Sequence, residues 1–112
     1  SFVDTAVARV KSIDANITAG LLVGRKNGDV PRRFNEYFPE RRLKRCHADF
    51  VSPYHQIATR GFVHRMHLRH YKVFVWTVNN PTDLGHFVKR GVDGIITDKP
   101  DAGLFIRKGF TL

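Results

Sequence analysis

Two hydrophobic periods alternate along this 112-residue chain, and the alternation limits the possible folds more than any other feature. Apolar residues three to four apart predict amphipathic helices, whereas short apolar runs predict buried strands. From the N-terminus the order is helix, strand, loop, strand, helix, strand, helix, strand, helix. Such alternation favours a parallel sheet with right-handed crossovers. We therefore predict an α/β domain over residues 1–112, with about four parallel strands and flanking helices.

The predicted helices are defined by apolar stripes and by end signals. Asn80 is placed to cap the third helix, with Pro81 at its first position, Asp83 in its first turn and Gly91 at its end. The stripes are Val3, Ala6, Val7, Val10 and Ile13 in the first helix; Phe62, Val63 and Met66 in the second, from Thr59 to His70; Leu84, Phe87 and Val88 in the third; and Leu104, Phe105 and Ile106 in the last, after Pro100.

The predicted strands are short, and one of them is β-branched and aromatic throughout. This strand, from Val73 to Val78, is typical of a strand covered on both faces. The other three run from Ile17 to Val23, from Ala48 to Ser52 and from Gly94 to Thr97. Four parallel strands in an open sheet would expose two unpaired edges, which proteins rarely leave unprotected. Four is also half the number of strands in a (β/α)8 barrel.

Charge is concentrated in the predicted loop between Arg25 and Arg45. This loop holds eight basic and three acidic residues, in a chain of net charge +9. Such a cluster would attract phosphodiesters, anionic membrane surfaces or nucleic acids, or would simply be solvated. Phe34, Tyr37 and Phe38 have the spacing of a helical turn rather than of a base-stacking platform. No motif of a nucleic-acid-binding module is present, so nucleic acid is the least favoured partner.

Several other functional classes lack their sequence signals. No apolar run is long enough to span a bilayer, and the first residues do not resemble a signal peptide. Cys46 is the only cysteine, which excludes an internal disulfide and a cysteine-based metal site. His64, His67 and His70 are spaced by three on one predicted helix, but Arg65 and Arg69 lie between them and would repel a cation. We predict no metal site in this chain and place His86 on the solvent side of its helix.

Three sequence blocks resemble the C-terminal signature of the glycerophosphodiester phosphodiesterases. They are Trp-Thr-Val-Asn at residues 76–79, Gly-Val-Asp-Gly-Ile at 91–95 and Thr-Asp-Lys-Pro at 97–100, and their order and spacing both agree. Weaker similarities are Ser1-Phe2 with the end of the family's fourth barrel strand, Gly20-Leu21-Leu22 with the next strand, and Asp49-Phe50-Val51-Ser52-Pro53 with the one after. Two differences are Ser52 in place of a frequent Asn, and the absence of the usual Gly in the turn at residues 70–72.

The resemblance implies the C-terminal half of a TIM-type (β/α)8 barrel. It implies a phosphoric diester hydrolase that releases glycerol 3-phosphate and an alcohol and uses a divalent metal, Mg or Ca. Trp76 and Phe2 are implied to line the substrate site at the carboxyl ends of the strands. The family's His-Arg-Gly strand, metal-binding carboxylates and second catalytic His all precede the Ser-Phe position. We therefore expect no catalytic or metal-binding residue in this chain, and we expect Asp98 to support the turn before Pro100.

Three functions remain open at this point. The chain is part of a phosphodiesterase and inactive by itself, or a non-catalytic half-barrel that self-associates or pairs with a partner such as the missing N-terminal half, or a basic module for nucleic acid. The first requires a glycerophosphodiester substrate in the completed barrel. A membrane contact through the cluster from Arg25 to Arg45 is compatible with the first two.

Overall fold

The computed structural model describes residues 1–24 and 37–98 of the chain. The last predicted helix, Phe34 and half of the basic residues of the cluster lie outside these ranges. Within them, no helix is long and apolar enough to cross a membrane. Eight elements follow in chain order: α1 (Asp4–Ile13), β1 (Gly20–Val23), α2 (Glu40–Arg45), β2 (Phe50–Pro53), α3 (Arg60–Leu68), β3 (Lys72–Val75), α4 (Pro81–Lys89) and β4 (Gly94–Ile95).

The four strands form one parallel sheet in the order β1-β2-β3-β4. This confirms the predicted strand number, direction and approximate positions. Ser1 continues the sheet beyond β1, because its amino group donates to the Gly20 carbonyl at 3.1 Å and its carbonyl accepts from the Leu22 N–H at 2.8 Å. These two bonds have the pattern of a parallel pair between Ser1 and Leu21.

The helices pack on one side of the sheet, which we call the helix face. Its strand side chains are fully buried, and they contact buried residues from the helices. The predicted inner stripe of α3 is confirmed, since Phe62, Val63 and Met66 are all buried. The strand residues of this face are Leu21, Val23, Val51, Val73 and Val75.

The opposite side of the sheet, which we call the open face, is only partly buried. Phe50 and Phe74 are half-buried in edge-to-face contact at 5.0 Å, and Ile96 is 48% exposed. A concavity of about 550 Å³ lies against these side chains. The prediction that the third strand is covered on both faces is therefore wrong for the described residues. The aromatic character of that strand therefore does not coincide with burial on this face within the described residues.

The predicted apolar stripe of α1 is also wrong for the most part. Val7 is buried, but Val3, Val10 and Ile13 are exposed, Ile13 by 71%. The helix lies beside β1, and its main contacts within the described residues are with β1 and α2. Helical periodicity located the element correctly but could not indicate how much of its stripe would find a neighbour.

The end of the predicted basic loop is helical, which corrects the sequence reading. Glu40–Arg45 forms α2, with Pro39 before it and Glu40 in its first turn. Leu43 supplies the energetic reason, since its side chain is fully buried in the core. Arg42 turns towards α1 and donates to both carboxylate oxygens of Asp4. A single buried leucine among five charged residues forms no hydrophobic periodicity from which a helix could be predicted.

The ends of α3 and α4 follow from local residues. Thr59 accepts from the Phe62 N–H at 3.2 Å, and Asn80 accepts from the Thr82 N–H at 2.9 Å, which confirms the cap of α4. Gly91 has a φ of 81° and ends α4 as predicted. After α3 the same left-handed conformation occurs at His70, with a φ of 66°. The turn without glycine therefore keeps the geometry that glycine would adopt.

Candidate functional site

The pairing of β2 and β3 continues past their last residues and positions Trp76. Trp76 forms an isolated parallel bridge with Tyr54. The backbone N–H of Trp76 donates to the Pro53 carbonyl at 3.1 Å, and its backbone carbonyl accepts from the His55 N–H at 2.7 Å. By alternation from Phe74, the indole lies on the open face at the carboxyl ends of the strands.

Hydrogen bonds fix the orientation of the Trp76 ring. Its indole N–H donates to the Ser52 carbonyl at 2.8 Å. Ser52 is itself buried, and its hydroxyl donates to the Phe74 carbonyl at 2.6 Å. Ser52 thus links β2 to β3 on the same face of the sheet as the indole. With its only polar group occupied, Trp76 presents apolar ring surface.

Phe2 lies next to this indole because Ser1 pairs with β1. The ring centroids of Phe2 and Trp76 are 5.5 Å apart with an interplanar angle of 82°, an edge-to-face contact. Phe2 is 37% exposed and Trp76 is half-buried. The structure therefore brings together the two residues that the sequence resemblance singles out.

Tyr54 completes this group, and sequence reasoning missed it. Its ring centroid is 5.1 Å from that of Trp76 and 4.3 Å from that of His55. The available signal was its position directly after β2, since side chains that follow parallel strands gather at one end of a sheet. We call Phe2, Tyr54 and Trp76 the aromatic wall.

A second polar link joins the carboxyl ends of β3 and β4. Asn79 accepts from the Thr97 hydroxyl at 3.0 Å and from the Asp98 N–H at 2.9 Å. Its amide also donates to the Asp98 carboxylate at 3.3 Å. The Trp-Thr-Val-Asn and Thr-Asp blocks are thus linked to each other through Asn79. The predicted support of the turn before Pro100 stays a prediction, because that turn lies outside the described residues.

The third block, Gly-Val-Asp-Gly-Ile, lies at the amino ends of the strands. Asp93 accepts from the Val73 N–H at 2.8 Å and contacts the His67 ring at 2.7 Å. Gly94 lies under the Phe74 ring, where a Cβ would be only 2.4 Å from the nearest ring carbon. Asp49 repeats this device before β2, accepting from Lys11 and from the Ala19 N–H. These contacts hold the amino ends of the strands together.

The same contacts set the ionisation of these two carboxyl groups. Burial disfavours the charged form of Asp93, but hydrogen bonds from Val73 and His67 outweigh it and lower its pKa. For Asp49, the hydrogen bond from Lys11 contributes most to lowering the pKa. Burial raises the pKa of the Cys46 thiol, which argues against a nucleophilic role. Both carboxylates stabilise the amino ends of the strands, away from the aromatic wall.

The described residues do not supply a set of metal ligands. Over residues 1–24 and 37–98, no three His, Cys, Asp or Glu side chains lie close enough to hold an ion. His67 is engaged with Asp93, and His70 lies beyond the end of α3. His86 is exposed, as predicted. The carboxyl ends of these strands provide aromatic surface and amide groups, and the Asp98 carboxylate is bonded to Asn79.

Comparison with known proteins places these features in a family. The sequence pattern of the glycerophosphoryl diester phosphodiesterase family matches residues 2–102. A glycerophosphodiester phosphodiesterase from Caldanaerobacter subterraneus subsp. tengcongensis is 49% identical over 39 residues, which are 34% of this chain and 16% of that protein.

Solved structures show the same backbone. A crystal structure from Silicibacter pomeroyi, described as a glycerophosphoryl diester phosphodiesterase, is 26% identical with a TM-score of 0.85, covering 100% of this chain and 38% of that one. An Oleispira antarctica phosphodiesterase in complex with the product sn-glycerol-3-phosphate is 18% identical with a TM-score of 0.78, covering 96% and 40%. The chain thus spans about two fifths of these structures.

These matches confirm the predicted fold class, since the four parallel strands and their helices correspond to part of a phosphodiesterase barrel. The chain belongs to the glycerophosphoryl diester phosphodiesterase family.

Proposed function

We propose that this chain forms the C-terminal half of a barrel that hydrolyses glycerophosphodiesters to glycerol 3-phosphate and an alcohol. In this proposal Trp76 and Phe2 line the substrate site, and the described part of the chain supplies scaffold rather than catalytic groups. The observation that carries the proposal is the aromatic wall at the carboxyl ends of parallel strands, where barrel enzymes bind their substrates.

The chemistry explains the division of roles. Hydrolysis of a phosphodiester requires charge stabilisation at the phosphoryl oxygens, an acid for the leaving alkoxide, and a base or nucleophile. The described residues do not fit a divalent metal, and the Asp98 carboxylate is bonded to Asn79. The metal-binding carboxylates and the catalytic His would therefore come from the preceding half of the barrel. Trp76 and Phe2 would pack against the carbon skeleton of the glycerol or alcohol group.

Substitution of Trp76 in the complete barrel tests this role. Trp76→Ala should lower kcat/KM at least about tenfold, a loss of about 1.4 kcal/mol in transition-state binding. Trp76→Phe keeps aromatic surface but loses the bond to the Ser52 carbonyl, so its kcat/KM should lie between those of Trp76→Ala and wild type. A collapsed melting transition with normal specific activity of the remaining folded enzyme would instead identify Trp76 as a core residue.

Assay of the 112-residue chain by itself tests the assignment of the catalytic groups. We expect no hydrolysis of glycerophosphocholine, with or without Mg²⁺ or Ca²⁺. Turnover that follows this protein through purification and disappears with EDTA would contradict the assignment.

A second candidate function is a non-catalytic half-barrel that self-associates. The open face favours it, because two copies related by a two-fold axis could approximate a closed barrel. Mixing the chain with the preceding barrel half distinguishes the candidates. Phosphodiesterase activity that appears only in the mixture supports the first, and a stable homodimer that excludes the added half supports the second.

A further inference from the structure

A groove between the start of α3 and the end of α4 is lined by basic side chains. Its volume is about 510 Å³. Buried Val63 contributes to the lining, and the side chains that line it include no carboxylate. We call it the cationic groove; its basic residues are Arg60, His64, His67, Lys89 and Arg90.

Much of this positive charge is uncompensated within the described part of the chain. His67 contacts Asp93 at 2.7 Å. Arg60, His64 and Lys89 make no hydrogen bond or ion pair with any other described side chain. The half-buried cations Arg42 and Arg65, by contrast, are paired with Asp4 and Glu40. Arg60 and Lys89 therefore carry positive charge that no described carboxylate pairs with.

One member of the groove is held in place before any ligand binds. The Arg90 guanidinium donates through one nitrogen to the Ala58 carbonyl at 3.0 Å and lies 4.9 Å from the centroid of the Phe87 ring. A fixed guanidinium loses less conformational entropy when it binds an anion. Its remaining N–H groups form the planar fork that suits phosphate or carboxylate oxygens.

We propose that the cationic groove binds a phosphate group as its dianion. Three permanent cations, Arg60, Lys89 and Arg90, match a dianion better than a single carboxylate does. The groove lies between helices that pack on the helix face, whereas the aromatic wall lies on the open face. It is therefore a separate site from the one proposed for substrate, and occupancy of one does not require release of the other.

Calorimetric titration of the protein with inorganic phosphate, against chloride at equal ionic strength, tests the proposal. The protein is used in the assembly state in which it is isolated. Arg60→Gln/Lys89→Gln should weaken phosphate binding at least about tenfold, because each substitution removes a charged donor. The matched control is Arg41→Gln/Lys44→Gln, which removes the same charge from exposed positions on α2. An equal loss of affinity in both double variants would overturn the proposal, because net charge alone would then explain binding.

A charge insertion gives an independent variant that is compatible with folding. A Cβ at Gly61 would meet the Tyr37 hydroxyl at 3.6 Å and the Thr59 hydroxyl at 3.9 Å, which are ordinary contacts. An acidic residue in the first turn of α3 also suits the helix dipole. Gly61→Glu should therefore keep the melting temperature and abolish phosphate binding. A folded Gly61→Glu protein that binds phosphate like wild type would contradict the proposal.

The source of the phosphate group is resolved with vesicles. Phosphatidylcholine vesicles with and without phosphatidic acid are compared by co-sedimentation with wild type and Arg60→Gln/Lys89→Gln. Binding that requires both phosphatidic acid and the two cations assigns the group to a lipid headgroup. Phosphate binding without vesicle binding assigns it to a soluble ligand. The absence of both phosphate binding and vesicle binding, or binding that persists undiminished in the double variant, refutes the groove as an anion site.

Discussion

The two faces of the sheet use hydrophobic residues in different ways. On the helix face, aliphatic side chains from the strands are fully buried against α2, α3 and α4. On the open face, Phe50, Phe74 and Trp76 contact one another or their neighbours but stay half-exposed in the described part of the chain. One face thus forms a complete core, while the other has the composition of a core without its second wall. The helices of this chain thus cover one face of the sheet, and no described residue covers the other in the same way.

The largest expected difference between the faces is the cost of removing an aromatic ring. Phe62→Ala should lower the free energy of unfolding by about 3–5 kcal/mol, because Phe62 is fully buried. Phe74→Ala should cost about 1–2 kcal/mol in this chain, since less of its area is removed from water. Urea denaturation of both variants at one protein concentration measures the difference. Equal costs would mean that the open face is covered in solution.

A smaller effect is expected at Gly94, where the Phe74 ring on the open face lies close to the backbone. Gly94→Ala would place a Cβ 2.4 Å from a Phe74 ring carbon and should cost about 1–3 kcal/mol. The control is Gly91→Ala, where no neighbour lies within 4 Å and only the φ of 81° opposes the side chain. Thermal melts of Gly94→Ala with and without Phe74→Leu show whether contact with the Phe74 ring causes the loss of stability. If Phe74→Leu fails to relieve the Gly94→Ala cost, the ring is not the source of the strain.

The smallest effect concerns the acid sensitivity of the amino ends of the strands. The pKa of Asp93 lies below its ordinary value of 3.8. Its carboxylate therefore stabilises the folded state fully at pH values above 3.8, and this stabilisation is lost as the pH falls through the lowered pKa. Asp93→Asn should cost up to about 1 kcal/mol at pH 7, because the hydrogen bonds from Val73 and His67 lose a charged acceptor, and should flatten the acid limb of the stability curve. Urea midpoints between pH 7 and pH 2 test this. Parallel curves for the two proteins would contradict the role of Asp93.

The sequence predicted the helix face better than the open face, for a physical reason. Hydrophobic periodicity predicts burial correctly where a helix packs on strands of the same chain. Phe62, Val63 and Met66 were therefore identified correctly. The stripe of α1 and the full covering of β3 were overestimated, because their partners would come from outside the described residues. Leu43 gave too short a signal to predict α2 within a run of charges.

The candidate site was partly predictable as well. Trp76 and Phe2 came from motif resemblance, and the structure places their rings 5.5 Å apart. Tyr54 was missed because it lies just after the similarity at residues 49–53, although its position after a strand was visible. The bond from the Trp76 indole to the Ser52 carbonyl could not be predicted, since it depends on the register of β2 against β3.

The central claim is that the open face belongs to the interior of a barrel and requires more protein to cover it. Sedimentation velocity of the 112-residue chain at micromolar concentration tests this claim most directly. We predict association, either with itself or with an added preceding barrel half, together with loss of exposed apolar surface. A folded monomer of 12.9 kDa that melts in one sharp transition and does not bind the added half would contradict the claim.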